Sequence, residues 1–296
     1  MATAAATATP MRARLRPAAA VSAIRTVVLL PAVLAVIWGL WEGYRALWIW
    51  TGWTWPFGVD DTTMPHLHAI LAQLGQPSRL NGPLLITVLW HSALFTAKEA
   101  AVGFAIGASV GFALAIVLVH SRLLERGFLP YIVASQTIPL LAIAPMVVVG
   151  LGSKGVTGWV SVSVTAAYLT FFPVAINSLR GLKSADPRAL ELMRSYAAGR
   201  GAILWKLRVP ASLPYLFAAL KVSATASVVG AIISELPSGI QDGLGGAILN
   251  FNQYYVSEPK NLWATNVIAA VLGITFFLAV VAAEKLIVRR APEHVA

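Results

Sequence analysis

Six apolar blocks follow one another along the chain: Val27 to about Trp50, Ala100–Val119, Phe128–Gly152, Val156–Leu179, Ala211–Glu235 and Leu262–Ala283. Each is near the ~20 residues that a helix needs to cross a bilayer core about 30 Å thick. Lipid offers no partner for backbone N–H and C=O groups, so blocks of this kind must satisfy themselves as helices. Composition agrees. Of 296 residues, 58% are hydrophobic and 11% charged, against roughly 25% charged in a soluble domain. Length alone would allow two soluble domains, but the apolar blocks run almost end to end and indicate one membrane domain. The expected fold is an all-α membrane protein of about six transmembrane helices. Residues 1–26 read as a disordered N-terminal tail, 27–83 as the first helix and an outer loop, 84–290 as the core domain, and 291–296 as a C-terminal tail. A cleavable signal peptide is the rival reading of the N-terminus. It is set aside because Trp-rich sequence, not a small-residue cleavage site, follows the first block. Leu84–His120 as one helix would be ~55 Å long, so its first part is expected at the interface or projecting beyond it.

The formal charge of +10 does not indicate nucleic acid, because the basic residues fall between apolar blocks and not on one polar face. With the N-terminus inside, the inner segments hold Arg12, Arg14, Arg16, Arg25, Arg122 and Arg126, then Arg180, Lys183, Arg188, Arg194, Arg200, Lys206 and Arg208, then Lys285, Arg289 and Arg290. The outer segments hold Arg79, Lys154 and Lys260, with Arg45 and Lys98 near the boundary. This bias predicts both termini in the cytoplasm. Trp48, Trp50, Trp53, Trp55, Trp159 and Trp263 then fall at the outer boundary, where amphipathic rings prefer to sit.

Enzyme-like patterns do not survive their context. The chain has no cysteine, which removes thiolate nucleophiles, thiolate metal sites and disulfides. Gly107-Ala-Ser-Val-Gly111 matches a hydrolase elbow but lies inside a spanning helix. Gly103, Gly107 and Gly111 instead form a small-residue groove where another helix can approach. Gly150-x-Gly152-x-x-Gly155 matches a dinucleotide fingerprint without the βαβ unit it requires, so it reads as a turn. His66 and His68 lack a third ligand at useful spacing and read as surface residues, not a metal site. No catalytic residue is expected. No Gly-Lys dipeptide occurs, so the chain carries no phosphate-binding P-loop, and any ATP it uses is hydrolysed by another chain.

The intramembrane charges are Lys98, Glu99, Lys221 and Glu235. Lys221 is placed to snorkel. Glu235 opens the stretch Glu235-Leu-Pro237-Ser-Gly-Ile-Gln241-Asp242-Gly-Leu-Gly-Gly246, where Pro237 and the glycines are expected to break the helix. Broken backbone at membrane depth is tolerated only against protein or a water-filled cavity. Two readings stand: a gate or solute path that includes Glu99, Glu235, Pro237, Gln241 and Asp242, or a structural re-entrant turn. The segment Leu182–Arg208 is also unusual. It is long, basic and helix-permissive, with apolar Leu190, Met193, Ala197, Ile203, Leu204 and Leu207. It reads either as a helix lying against a partner protein or as a helix resting on anionic headgroups.

This segment resembles the EAA loop of ABC importer permeases: Glu-Ala-Ala, three residues, Gly, nine residues, then Ile-x-Leu-Pro. Here the pattern reads Glu191-Leu192-Met193, Ala197, and Leu207-x-Val209-Pro210, with every interval kept and Ala197 in place of the glycine. The resemblance extends from about Thr87 to Arg290. Thr96-x-x-Glu99-x-x-x-Gly103-Phe104-x-x-Gly107 and Thr137-Ile-Pro-Leu-Leu-Ala-Ile-Ala-Pro145 look like the branch serving nitrate, sulfonates, taurine, riboflavin and thiamine-precursor pyrimidines. Glu99 stands where many members carry Arg and resembles the vitamin and pyrimidine members. Glu235 with Gly243-Leu-Gly245 is similar to a family element near the outer end of the fifth helix, from which the Pro237-Ser-Gly stretch departs.

The resemblance implies a type I ABC importer-like permease in the cell inner membrane, without chemistry of its own. Within the loop 182–210, Glu191, Met193, Ala197, Leu207 and Pro210 would couple to an ABC ATPase subunit, present in two copies, that holds ATP and Mg. It further implies a second permease copy as a homodimer and an extracytoplasmic solute-binding protein. The chain itself would carry no cofactor and no metal. The rival function is an ion-coupled secondary transporter. That reading needs buried acids near mid-membrane, whereas Glu99 and Glu235 are expected towards the outer side.

Overall fold

A computed structural model of the chain describes residues 17–52, 55 and 58–288, with side chains described from residue 31. Arg12, Arg14, Arg16, Trp53, Arg289, Arg290, the 291–296 tail and the side chain of Arg25 lie outside the described residues. Among those described, regular structure is helical apart from one isolated β-bridge between Pro77 and Leu84. The chain forms two compact units that divide after Leu67.

The first unit holds helix α1 (Pro17–Thr51), which starts ahead of the apolar block at Val27, and the loop that follows it. Buried Arg45 fixes this loop. Its guanidinium lies 2.5 Å from Asp61 Oδ1 and also donates to the Met64 carbonyl. Trp41 Nε1 donates to the Pro65 carbonyl at 3.1 Å, and Glu42 Oε2 lies 2.7 Å from His66 Nδ1. Asp60 makes a local turn, accepting from the backbone of Thr63 at 2.7 Å and of Thr62 at 3.0 Å. Those bonds, the Thr63 backbone N–H first among them, hold its carboxyl down at about 2.

After the short α2 (Leu67–Gln73), the second unit runs α3 (Leu85–His120), α4 (Arg122–Ser135), α5 (Leu140–Gly152), α6 (Gly158–Lys183), α7 (Pro187–Ser195), α8 (Arg200–Ile203), a π-turn at Leu204–Arg208, α9 (Val209–Ser238), α10 (Leu244–Gln253) and α11 (Pro259–Ile287). Among the described residues, α3, α6, the Arg200–Ser238 run and α11 are long and apolar enough to cross a membrane. The α4–α5 pair brings the number to five if it counts as one broken span. The expected straight crossing at Phe128–Gly152 is therefore corrected: α4 and α5 meet at 96°. Pro139 is the cause. It supplies no N–H and pushes Ile138 out of the helical region, and the freed Ser135 carbonyl accepts from Tyr168 Oη at 2.7 Å. The expected break at Pro237 also moves. α9 runs through Pro237 in its last turn and ends at Gly239, whose φ of +71° is the left-handed closing conformation glycine adopts freely. Leu85–His120 is one unbroken helix, without a bend between its first part and the rest.

α6 is the central element, with α3 on one side and α9 on the other. The groove expected from Gly103, Gly107 and Gly111 is the α3–α6 seam. A Cβ on Gly103 would lie 2.6 Å from the Ser163 carbonyl oxygen, and one on Gly111 2.7 Å from that of Phe171. One on Gly107 would overlap the Ala167 carbonyl. The backbones can approach this closely only because nothing projects from α3 there. On the other side, a Cβ on Gly181 would meet Ser212 and Tyr215 of α9. A buried cluster including Ala115, Leu118, Ile132, Phe172, Leu182 and Leu204 ties α3, α4 and α6 to the π-turn. Lys221 does not snorkel freely; it pairs with Glu284 of α11 at 2.8 Å.

Candidate functional site

Two regions gather the residues singled out in the sequence, and they lie at opposite ends of α9. Val209 and Glu235 are ~39 Å apart at 1.5 Å rise per residue. The first region is the segment between α6 and α9. Asp186 caps α7 by accepting from Arg188 N at 2.9 Å, with Pro187 in the first turn, where its missing N–H costs nothing. At the other end, Ala198 N donates to the Met193 carbonyl at 3.0 Å and Ala197 N to that of Arg194 at 2.9 Å. This pair of bonds is a Schellman motif with Ala197 at the left-handed position, φ +53°. The glycine of the loop pattern has a physical reason: it is the residue that must turn left. Alanine holds the same turn here at a strain of about 1 kcal/mol.

α8 and the π-turn then lead into α9. Pro210 has no N–H for the Lys206 carbonyl, and its ring crowds that carbonyl. The wider turn relieves the conflict, and Val209 N donates instead to the Leu204 carbonyl. Glu191 and Ala197 are exposed, Met193 and Leu207 are half-buried, and Pro210 is exposed. Leu204 is buried in the core cluster and anchors the segment to α6. Leu192, Tyr196 and Trp205 stand 57%, 79% and 62% exposed. Leu192 stands in the loop pattern in place of an alanine, while Tyr196 and Trp205 fall outside both that pattern and the apolar stripe.

The second region is a knot of carboxyls. Glu99 of α3 and Glu235 of α9 are both fully buried. Glu235 Oε1 accepts from Thr96 Oγ1 at 2.6 Å, and Oε2 accepts from Gly245 N at 2.5 Å. Thr96 Oγ1 in turn accepts from Leu244 N at 2.9 Å. The first turn of α10 thus places its free N–H groups and positive dipole end on Glu235. The glycines of the 243–246 stretch are required by contact: a Cβ on Gly243 would overlap the Glu235 carboxyl, and one on Gly245 would lie 2.5 Å from the Ile232 carbonyl oxygen. Glu99 accepts no hydrogen bond from any donor group. Both of its oxygens are buried without a hydrogen-bond partner among the described residues. Lys98 points elsewhere, over the Trp159 ring at 4.4 Å. Glu99 and Glu235 are brought together, while Pro237, Gln241 and Asp242 stand exposed beside them. Thr96, the hinge of the network, was legible only as part of a motif.

Residues 103–291 match the family model described as binding-protein-dependent transport system inner membrane component. The formylaminopyrimidine transport permease ThiX of Halalkalibacterium halodurans is 32% identical over 218 residues, covering 70% of this chain and 84% of that protein. The riboflavin transport system permease RibX of Chloroflexus aurantiacus is 29% identical over 68% of this chain and 73% of that protein. The putative aliphatic sulfonates transport permease SsuC of Bacillus subtilis is 26% identical over 83% of this chain and 80% of that protein. A crystal structure of an amino acid ABC transporter with histidines shares the fold, with a TM-score of 0.56 and 18% identity over 68% of this chain and 95% of that one. The chain is a multi-pass membrane protein that belongs to the family of binding-protein-dependent transport system inner membrane components, the permease subunits of ABC importers.

Proposed function

We propose that α7 and its Schellman turn are the coupling helix of this permease and dock in a groove of a separate ABC ATPase subunit. The observation that carries this reading is the exposure of Glu191, Leu192, Tyr196 and Ala197 on a capped, pre-formed helix whose base is anchored by Leu204. Exposed apolar side chains on a basic segment are surface that a partner protein covers. In this reading the partner holds ATP and Mg, which the lack of a Gly-Lys dipeptide in this chain supports. Two copies of the chain form the solute path, two ATPase subunits sit beneath them, and both termini are cytoplasmic. A solute-binding protein delivers the cargo from the other side.

Mechanically, the π-turn joins the docking segment directly to α9. A displacement of α7 is carried along α9 to Glu235, where it pulls against Thr96 and Glu99 of α3. The carboxyl knot is then the element with two arrangements, closed as seen here and open when the α3–α9 contact parts. The cargo is a vitamin- or pyrimidine-type solute in preference to a sulfonate or nitrate-like one. Glu99 and the two relatives named for formylaminopyrimidine and riboflavin support that choice.

The test is uptake into proteoliposomes that hold the complete complex and its binding protein. Formylaminopyrimidine or riboflavin uptake should require internal ATP and fall at least tenfold with Glu191→Arg. Uptake driven by a proton or sodium gradient without ATP would restore the secondary-transporter reading. ATP-driven uptake of taurine or nitrate alone would keep the permease and overturn the cargo.

A further inference from the structure

Between the C-terminal end of α3 and the docking segment lies a cavity of about 340 Å³, lined by Arg194, Arg200 and Arg208 together with His120, Val119, Ala198 and Ile203. The volume is within the roughly 300–1,000 Å³ of small-ligand sites. Its charge is one-sided. Three arginines line the space, no acidic residue does, and none of the three takes part in an ion pair among the described residues.

Among the described residues of the second unit, Lys183 pairs with Glu125 and Lys221 with Glu284, each across two different helices. Like charges brought together without a counter-charge repel, so this arrangement is costly unless something negative completes it. Arg208 is the most constrained of the three. One terminal nitrogen donates to the Val119 carbonyl at 3.4 Å, while its Nε is buried with no partner. A buried guanidinium N–H left unmade is expensive. His120 points Nδ1 at the Ile116 carbonyl at 2.7 Å, which makes that nitrogen the donor and leaves Nε2 for a ligand. The π-turn at Leu204–Arg208 sets Arg208 against the end of α3, and such turns recur at functional sites.

We propose that this cavity binds a phosphate-type oxyanion, held by the forks of Arg194, Arg200 and Arg208. Planar guanidinium groups match the geometry of phosphate oxygens and bond two at a time. The chemistry is shared by two sources, the headgroup of an anionic phospholipid and a free phosphate compound. Bound there, the anion would bridge α7, α8 and the π-turn to the end of α3, stiffening the docking segment. The inference stands apart from the ATPase reading, because it concerns the residues that line the cavity and not Glu191, Leu192, Tyr196 or Ala197.

The full-length chain, purified in detergent without anionic lipid, is titrated with inorganic pyrophosphate at constant ionic strength and followed by thermal melting. In parallel, the chain is extracted from nanodiscs of phosphatidylglycerol or of phosphatidylcholine, and retained lipid is counted by native mass spectrometry. Arg194→Ala and Arg200→Ala should each weaken saturable binding about tenfold or more, as expected for a charge-assisted contact. Arg188→Ala, which removes the same charge from α7 at a position that does not line the cavity, should leave binding unchanged. Saturable stabilisation by pyrophosphate assigns a free phosphate, and specific retention of phosphatidylglycerol assigns a headgroup. The proposal is overturned if Arg188→Ala weakens binding as much as the other two, which would mean diffuse attraction only. It is equally overturned if neither probe binds and the arginines matter only for holding an acidic protein partner.

Discussion

The α3–α6 seam and the turn after α7 both depend on small residues, for opposite reasons. At Gly107 the backbone is ordinary helix, but the neighbouring helix stands where a side chain would go. At Ala197 the space is open, but the backbone is left-handed. The seam cannot accept a side chain at any cost short of moving a helix, whereas the turn accepts Ala for about 1 kcal/mol. Contact is therefore the stricter constraint of the two, and this explains why the seam keeps its glycines while the docking turn departs from the family pattern.

The largest effect that would break this contrast is at the seam. Gly107→Val should abolish folded protein, and Gly107→Ala should cost about 1–3 kcal/mol or more, read as a lower melting temperature in detergent. Unchanged melting for Gly107→Ala would mean the helices are not in contact as described. Next comes the carboxyl knot. Glu235→Ala strands Thr96, Gly245 N and Glu99 together and should cost on the order of 2–4 kcal/mol. Glu99→Gln should cost much less, because Glu99 accepts no hydrogen bond that the substitution would break. Equal losses for the two would contradict the arrangement.

A smaller, opposite effect is expected at the turn. Ala197→Gly should relieve about 1 kcal/mol of local strain, seen as slower hydrogen exchange at the Ala197 and Ala198 amides that close α7. Faster exchange would show that the left-handed turn is not formed. The smallest effect belongs to Asp60, which is fully exposed. Its carboxyl is lowered to about 2, so its contribution is complete above the ordinary aspartate range and lost as pH falls towards 2. Protection of the Thr62 and Thr63 amides should follow that window and vanish in Asp60→Ala.

Much of this was legible in the sequence because the membrane leaves few choices. Block length gave the long helices, the i, i+4 glycines gave the seam, and the interval from Glu191 to Pro210 marked the segment between α6 and α9 that is proposed to dock. The 96° bend between α4 and α5 was missed because hydropathy averages over Pro139 and cannot see a direction change inside an apolar run. Thr96 and the α10 amides at Glu235 were invisible for another reason. They are set by which faces of α3, α9 and α10 meet, which no periodicity within one helix reports. The arginine-lined cavity likewise joins residues from four separate elements, and in sequence its arginines look like ordinary basic loop residues.

The central claim is that α7 and its turn carry the contact with an ATPase. It is tested most directly by co-purifying the tagged chain from native membranes with ABC-type ATPase, alongside Glu191→Arg, Ala197→Arg and Ala197→Gly. The ATPase should accompany the wild type and Ala197→Gly and be lost from both arginine variants while the chain itself stays folded and in the membrane. Full retention in Glu191→Arg and Ala197→Arg, or no ATPase with the wild type, would contradict it.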